Sequence, residues 1–177
     1  MNLDQVVLVD ANDKQIGVMD KIEAHRGEGK RHRASSVFLF NLRGELLMQQ
    51  RSEKKIVGAM QWANTCCGNV WPDESKLDCA YRRLKVELGI TNVELHSRYT
   101  FEYHVQANVE FSEWEVDEVF VGVYDGEVSP NPDEVARCRW ISKKDIEDWI
   151  QKSDGTLAPW FVIMFKDVRL QESWPIL

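Results

Sequence analysis

Apolar and polar positions along this chain fall into short runs that change period several times. An apolar run at residues 6–9 is broken by Ala11-Asn12-Asp13-Lys14, a group of turn formers, and residues 15–19 read as the returning strand. The same design recurs at residues 35–40, Ser-Ser-Val-Phe-Leu-Phe, followed by the turn Asn41-Leu42-Arg43-Gly44 and a strand at 45–50. Further strands are predicted at 100–105, 113–124 and 136–141. A helix is predicted from about 73 to 88: Pro72, Asp73 and Glu74 suit its positive end, and Gly89 is a natural stop. Ser142 with Asp145 opens a second helix at 143–152, and residues 160–167 read as a third. Residues 24–33 gather His25, Arg26, Lys30, Arg31, His32 and Arg33 around two glycines, which predicts a basic loop, and residues 61–68 read as the approach to the first helix. Short strands mixed with a few helices predict an α+β sandwich rather than a regular parallel sheet.

No repeat, low-complexity tract or Pro/Gly/Ser-rich linker divides the chain, so one domain is expected over 1–177, with its core at about 31–165. With 177 residues and 44% hydrophobic composition, the chain is long enough to bury a substantial core. Its apolar runs stop far short of the roughly 20 residues of a membrane helix. Asp4 and Asp10 interrupt the beginning, unlike a signal peptide, which points to a cytoplasmic protein with no membrane partner. The four cysteines, Cys66, Cys67, Cys79 and Cys138, are expected to be reduced thiols. A net charge of −7 opposes long-range attraction to nucleic acid or anionic membrane, so an anionic small molecule would need a local basic pocket.

One segment carries recognisable chemistry. Gly68 is followed by five residues, Glu74, seven residues and Arg82, and then by Arg83-Leu84-Lys85-Val86-Glu87-Leu88-Gly89-Ile90. This spacing resembles the loop–helix–loop of Nudix proteins, and it implies a Nudix fold with a mixed β-sheet sandwiched between helices. In that family one helix face offers three carboxylates to the metals that activate water for diphosphate cleavage. The corresponding positions here hold Arg83, Val86 and Glu87, related as i, i+3 and i+4. Two of the three carboxylates are missing, so a hydrolytic cluster is not expected. Arg83 suits a phosphate oxygen, and Glu87 suits one Mg2+ shared with a diphosphate.

The surroundings narrow the resemblance. Asn64-Thr65-Cys66-Cys67-Gly68 precedes the helix, Glu113-Trp114-Glu115-Val116 follows it, and His25 and His32 lie upstream. Together and in this order, over nearly the whole chain, they resemble the type I isopentenyl-diphosphate isomerases, Nudix-fold enzymes that move a carbon–carbon double bond. The resemblance implies that Cys67 and Glu115 are the acid/base pair, that Tyr103 assists the proton at Glu115, and that Trp160 shields a carbocation with its π face. Its position relative to Gly68 favours Cys67 over Cys66.

The same resemblance implies a metal held by His25, His32, Glu113 and Glu115, with Asn69 standing where the family has a third His. An amide oxygen is a weak ligand that suits a hard cation better than Zn2+, so Mg2+ and/or Mn2+ are expected. Lys21, Arg51, Lys55 and Arg83 match the diphosphate-binding positions, with Lys54 and Lys55 left as alternatives for one of them. The expected partner is a small prenyl diphosphate, while His96 and His104 are expected to be structural or exposed. Two other readings stay open: a Nudix hydrolase with a metal site rearranged among Glu74, Glu87, Glu113, Glu115 and Glu118, and a noncatalytic binding module.

Overall fold

Strand β3 (His32–Phe40) is the shared partner around which the sheet is assembled in the computed structural model, which describes residues 5–174. The ends of the expected 1–177 domain, residues 1–4 and 175–177, lie outside the described residues. In chain order the other elements are β1 (Gln5–Val9), β2 (Gln15–Asp20), α1 (Lys21–His25), β4 (Leu46–Arg51), β5 (Trp62–Ala63), β6 (Cys66–Asn69), α2 (Lys76–Leu88), β7 (His96–Gln106), β8 (Ser112–Val123), β9 (Val135–Ile141), α3 (Lys143–Lys152), α4 (Pro159–Lys166) and α5 (Val168–Glu172). β3 pairs antiparallel with β1, β4 and β6 and parallel with β8, while β7 adds to β8 and β9 to β4. The sheet is therefore mixed, as expected of an α+β fold.

Alternation along β3 divides the interior in two. Phe38 and Phe40 join Val119 and Val121 of β8 in a core closed by α3 and α4 through Ile146, Phe161, Met164 and Phe165. Val37 and Leu39 face the other way, onto Phe120 and the Leu84 and Leu88 stripe of α2. Helices on both faces complete the sandwich.

Several boundaries differ from the pattern-based expectation, each for a local reason. The basic loop shrinks, because Asp20 caps the Ile22 and Glu23 amides to start α1, and His32 and Arg33 are already paired in β3. Residues 61–68 contain β5 and part of β6, strands too short to show a period. Helix α2 begins later than Asp73, which adopts φ 66°: Ser75 is the cap and accepts from the Asp78 amide at 3.0 Å. Helix α3 matches the expected bounds, capped by Ser142 through the Asp145 amide at 3.2 Å. Gly89, at φ 69°, ends α2 with an amide bonded back to Leu84 and Lys85. Helix α5 has no counterpart in the expected pattern, and no helix among the described residues is long and apolar enough to cross a membrane.

Phe161 is fully buried and stacks on Phe38 at 6.5 Å, so Phe161→Ala should lower the unfolding free energy by about 3–5 kcal/mol. Ile16→Ala, at a position 65% exposed, should change it by no more than about 0.5 kcal/mol. Urea titration of the two variants beside the parent measures both.

Candidate active site

Strand alternation aims the polar side chains of the site into one cavity. Glu113, Glu115 and Asp117 share one face of β8, and the register sets Glu115 beside His32 of β3 and Tyr103 of β7. On β6, Cys66 turns into the α2 core while Cys67 and Asn69 point the other way. That alternation separates the two adjacent thiols. The cavity has a volume of about 580 Å3, and Cys67, Asn69, Tyr103, Glu113, Glu115 and Trp160 line it.

His25, His32, Glu113 and Glu115 come together: one ligand atom from each lies within 4.8 Å of the others, and all four are buried. Both imidazoles are oriented from behind. His25 Nδ1 lies 2.6 Å from the Lys21 carbonyl and His32 Nδ1 2.7 Å from that of Lys30, so each ring spends its Nδ1 proton there and turns Nε2 into the site. Nε2 of His25 lies 3.0 Å from Glu113 Oε2, an oxygen with no hydrogen-bond donor. Burial disfavours a charged His25, but Glu113 outweighs it and raises the pKa of the ring. Once His25 gives up its Nε2 proton, two inward imidazole nitrogens and two carboxylates make a donor set that fits a divalent cation. Asn69 joins the group: its Nδ2 donates to Glu115 Oε1 at 3.1 Å and lies 3.0 Å from His32 Nε2. The amide nitrogen, rather than the oxygen a cation needs, thus faces the cluster.

The Cys67 thiol donates to Asn64 Oδ1 at 3.1 Å, and burial, with Asp117 next, pushes its pKa up to about 12. It is a protonated thiol at neutral pH. Tyr103 donates to Glu115 Oε2 at 2.5 Å, and burial followed by the Glu115 charge raises its pKa. Asp117, which the sequence pattern did not mark, is fully buried beside them and accepts from Ser36 Oγ at 2.6 Å. Trp160 is 3% exposed, held at the N-terminal end of α4, with the Arg51 guanidinium 5.3 Å from its ring centre. Gly58, at φ 60°, admits this indole, because a Cβ there would lie 2.6 Å from its edge.

Lys21, Arg51, Lys55 and Arg83 all line the same cavity. Desolvation, then the neighbouring cations, lowers the pKa of both lysines, as expected where positive charges converge. Lys55 turns inward, whereas exposed Lys54 pairs with exposed Asp133. Gly68 makes room for Arg83, whose stem a Cβ at that position would overlap. Glu87 is not free: its Oε1 accepts from Arg83 Nε at 2.7 Å and its Oε2 from Gln49 at 2.6 Å. A residue no sequence pattern marked, Glu134, binds Lys55 at 2.5 Å and Arg83 at 3.0 Å.

The rearranged hydrolytic cluster does not assemble among the described residues. Glu74 is held by Arg82 at 2.6 Å, with that guanidinium 3.6 Å from the centre of the Trp71 ring, and Glu118 sits on the opposite face of β8, bonded to Ser97. His96 is exposed, and His104 stacks on Trp114 outside the cavity.

This fold and loop–helix pattern define a class, and comparison with known proteins agrees. The NUDIX domain family matches residues 30–161. Solved structures share the fold: a Deinococcus radiodurans protein with a TM-score of 0.72 at 18% identity, covering 87% of this chain and 92% of that one, and the MutT protein of Methanosarcina mazei Go1 with 0.65 at 22%, covering 82% and 96%. The chain is a member of the Nudix family. Within it, the chain is 39% identical over 174 residues to an isopentenyl-diphosphate Delta-isomerase of Pectobacterium atrosepticum, covering 98% of this chain and 95% of the relative. It is 44% identical over 138 residues to isopentenyl-diphosphate Delta-isomerase 1 of Aromatoleum aromaticum, covering 78% and 77%. It belongs with the isopentenyl-diphosphate Delta-isomerases.

Burial works against ionisation of Glu134, but Arg83 and Lys55 outweigh it and bring its pKa from 4.5 to about 2. A depressed carboxylate stabilises the fold above its unfolded pKa and loses that contribution as pH falls through the folded one. Glu134→Gln should therefore be less stable than the parent by on the order of 1 kcal/mol above pH 5, the ion pairs being partly solvated. The difference should shrink between pH 4.5 and 3. Urea midpoints of both proteins at pH 7, 5, 4 and 3 read this out.

Proposed function

We propose that this chain interconverts isopentenyl and dimethylallyl diphosphate by adding and removing protons on opposite sides of the alkene, with metal assistance. The observation that carries the reading is one cavity holding a protonated thiol, a Tyr–carboxylate pair, an indole and a basic cluster. Moving the double bond requires a proton added at the terminal methylene carbon and another removed two bonds away. Cys67 and Glu115 take these acid and base roles, exchanging them with reaction direction, and Tyr103, which donates to Glu115 Oε2, assists the proton there. Protonation leaves a tertiary carbocation. The Trp160 face is the nearby negative surface that stabilises it.

Lys21, Arg51, Lys55 and Arg83 hold the diphosphate and offset, locally, a net charge of −7. His25, His32, Glu113 and Glu115 are the ligands we assign to a divalent cation, Mg2+ and/or Mn2+ rather than Zn2+, with Asn69 a weak fifth donor if its amide turns over. Bound there, such a cation polarises the Glu115 carboxylate. Glu87 would take a Mg2+ carried by the diphosphate once Gln49 and Arg83 yield its oxygens. The reading places this activity in one Nudix domain acting in the cytoplasm on a small molecule, without nucleic acid or membrane as partner.

Incubation with isopentenyl diphosphate in deuterated water, with Mg2+ and Mn2+, should yield labelled dimethylallyl diphosphate; absence of both product and label would overturn the reading. Cys67→Ala and Glu115→Gln should each lower turnover by at least about 1,000-fold, while Cys66→Ala should retain most of it. Equal loss in the two cysteine variants would refute the assignment. Asn69→His should raise affinity for Mn2+ or Zn2+ by about tenfold or more in a calorimetric titration.

A further inference from the structure

The basic cluster in the cavity is not equally open to a ligand. Lys21 and Arg51 have no carboxylate partner among the described residues, whereas Lys55 and Arg83 both bind Glu134, and Arg83 also binds Glu87. The three residues joined at Glu134 come from different elements: Lys55 from the β4–β5 loop, Arg83 from α2, and Glu134 from the segment before β9. That segment is pinned to its surroundings. The Asn131 amide donates to the Glu87 carbonyl at 2.8 Å, the Glu134 amide to the Asn131 carbonyl at 2.9 Å, and the Ser52 amide to the Glu134 carbonyl at 2.9 Å. Glu134 is thus fixed at the mouth of the cradle, unlike neighbouring Asp133, whose partner Lys54 is an exposed side chain.

We propose that Glu134 is a displaceable counter-ion of this cradle, whose carboxylate holds the positions on Lys55 and Arg83 that phosphate oxygens take when a ligand binds. The inference rests on the diphosphate reading above and deepens it. A carboxylate and a phosphate present similar oxygen pairs to a guanidinium and an ammonium, so the two compete for the same donors. With Glu134 in place, Lys55 and Arg83 are paired to two carboxylates, Glu134 and Glu87, and the ligand must supply enough charge to replace Glu134. A diphosphate can displace Glu134 and still reach Lys21 and Arg51 with its second phosphate. A monophosphate carries less charge and has no second phosphate to do both, so Glu134 sets a threshold of anionic charge and makes the site selective for diphosphates.

The test is calorimetric binding of inorganic pyrophosphate and inorganic phosphate to the full chain, with and without Mg2+, for the parent, Glu134→Gln, Glu134→Asp and Asp133→Asn. Glu134→Gln should bind both anions more tightly, pyrophosphate by about fivefold and phosphate by more, so that the preference for pyrophosphate falls. Glu134→Asp, with its carboxylate drawn back from Lys55 and Arg83, should lie between the parent and Glu134→Gln. Asp133→Asn removes one negative charge from the same loop but should shift affinity less than twofold, separating direct competition from a change in net charge. Unchanged or weaker pyrophosphate binding by a folded Glu134→Gln, whether in all conditions or only with Mg2+, would overturn the proposal; the second pattern would make Glu134 a metal ligand. A parent that binds no pyrophosphate in any condition would instead bring down the diphosphate reading and this proposal with it. Near-UV circular dichroism checks that each variant is folded.

Discussion

A β-strand sends successive side chains to opposite faces, and in this protein that constraint acts most strongly on β3, which pairs with β6 on one side and β8 on the other along part of its length. His32 and Ser36 lie on the same face as Phe38 and Phe40, so the polar start and the apolar end of one strand share a single surface. The parallel register then brings Glu115 beside His32, and the antiparallel register brings Cys67 beside Ser36. A slip of one residue in either pairing would send the Cys67 thiol or the Glu115 carboxylate toward the Leu84 core. The same strand therefore fixes both the packing and the chemistry.

Burial carries the consequences into electrostatics. The cavity takes a thiol, a phenol and several carboxylates out of water, which favours the neutral form of each unless a partner compensates. Burial keeps Cys67 and Tyr103 protonated, in Cys67 against the pull of Arg51, while Glu113 is held ionised against its burial chiefly by His25. Opposite outcomes for acids in one pocket are what a proton-transfer site needs. The cations on the other side of the cavity follow the same rule, with Glu134 and Glu87 limiting the repulsion among Arg83, Lys55 and their neighbours.

Much of this was legible in the sequence wherever a local pattern carried it. The Gly68–Arg82 spacing located the loop–helix segment because the Glu74–Arg82 pair it encodes closes over eight residues. Ser142 and Asp145 fixed α3 because a cap is a short-range interaction. Position next to Gly68 favoured Cys67 over Cys66, and alternation on β6 puts Cys67 on the cavity wall and Cys66 in the α2 core. Other features had no local signature. The strands β5 and β6 are too short to show a period, and α1 was hidden by the positive charge of the residues around it. Asp117 resembled any polar strand residue until Ser36, 81 positions away, was brought against it. Glu134 meets Lys55 across 79 positions and Arg83 across 51, and Gln49 meets Glu87 across 38; no window along the chain reveals such pairs.

Asn69 shows how one side chain would alter the proposed metal site without dismantling it. An imidazole whose Nδ1 proton is spent on a backbone carbonyl, the arrangement of His25 and His32, offers the site only a lone pair once its Nε2 proton is lost. Three such rings beside two carboxylates would crowd lone pairs together and leave a cation as the main relief. An amide is different because its NH2 carries two donors, and here it reaches both His32 Nε2 and Glu115 Oε1. The metal-free cluster is thereby partly satisfied from within, and a half turn about the last side-chain bond exchanges that donor for an oxygen that a hard cation accepts. Under the proposed assignment, binding a metal would first give up those two hydrogen bonds, so affinity would be reduced on both sides of the equilibrium: the free site is more stable and the ligand is weaker. The geometry of His25, His32, Glu113 and Glu115 is retained throughout, since the backbone carbonyls of Lys21 and Lys30 and the β3–β8 register hold it, and none of these depends on Asn69.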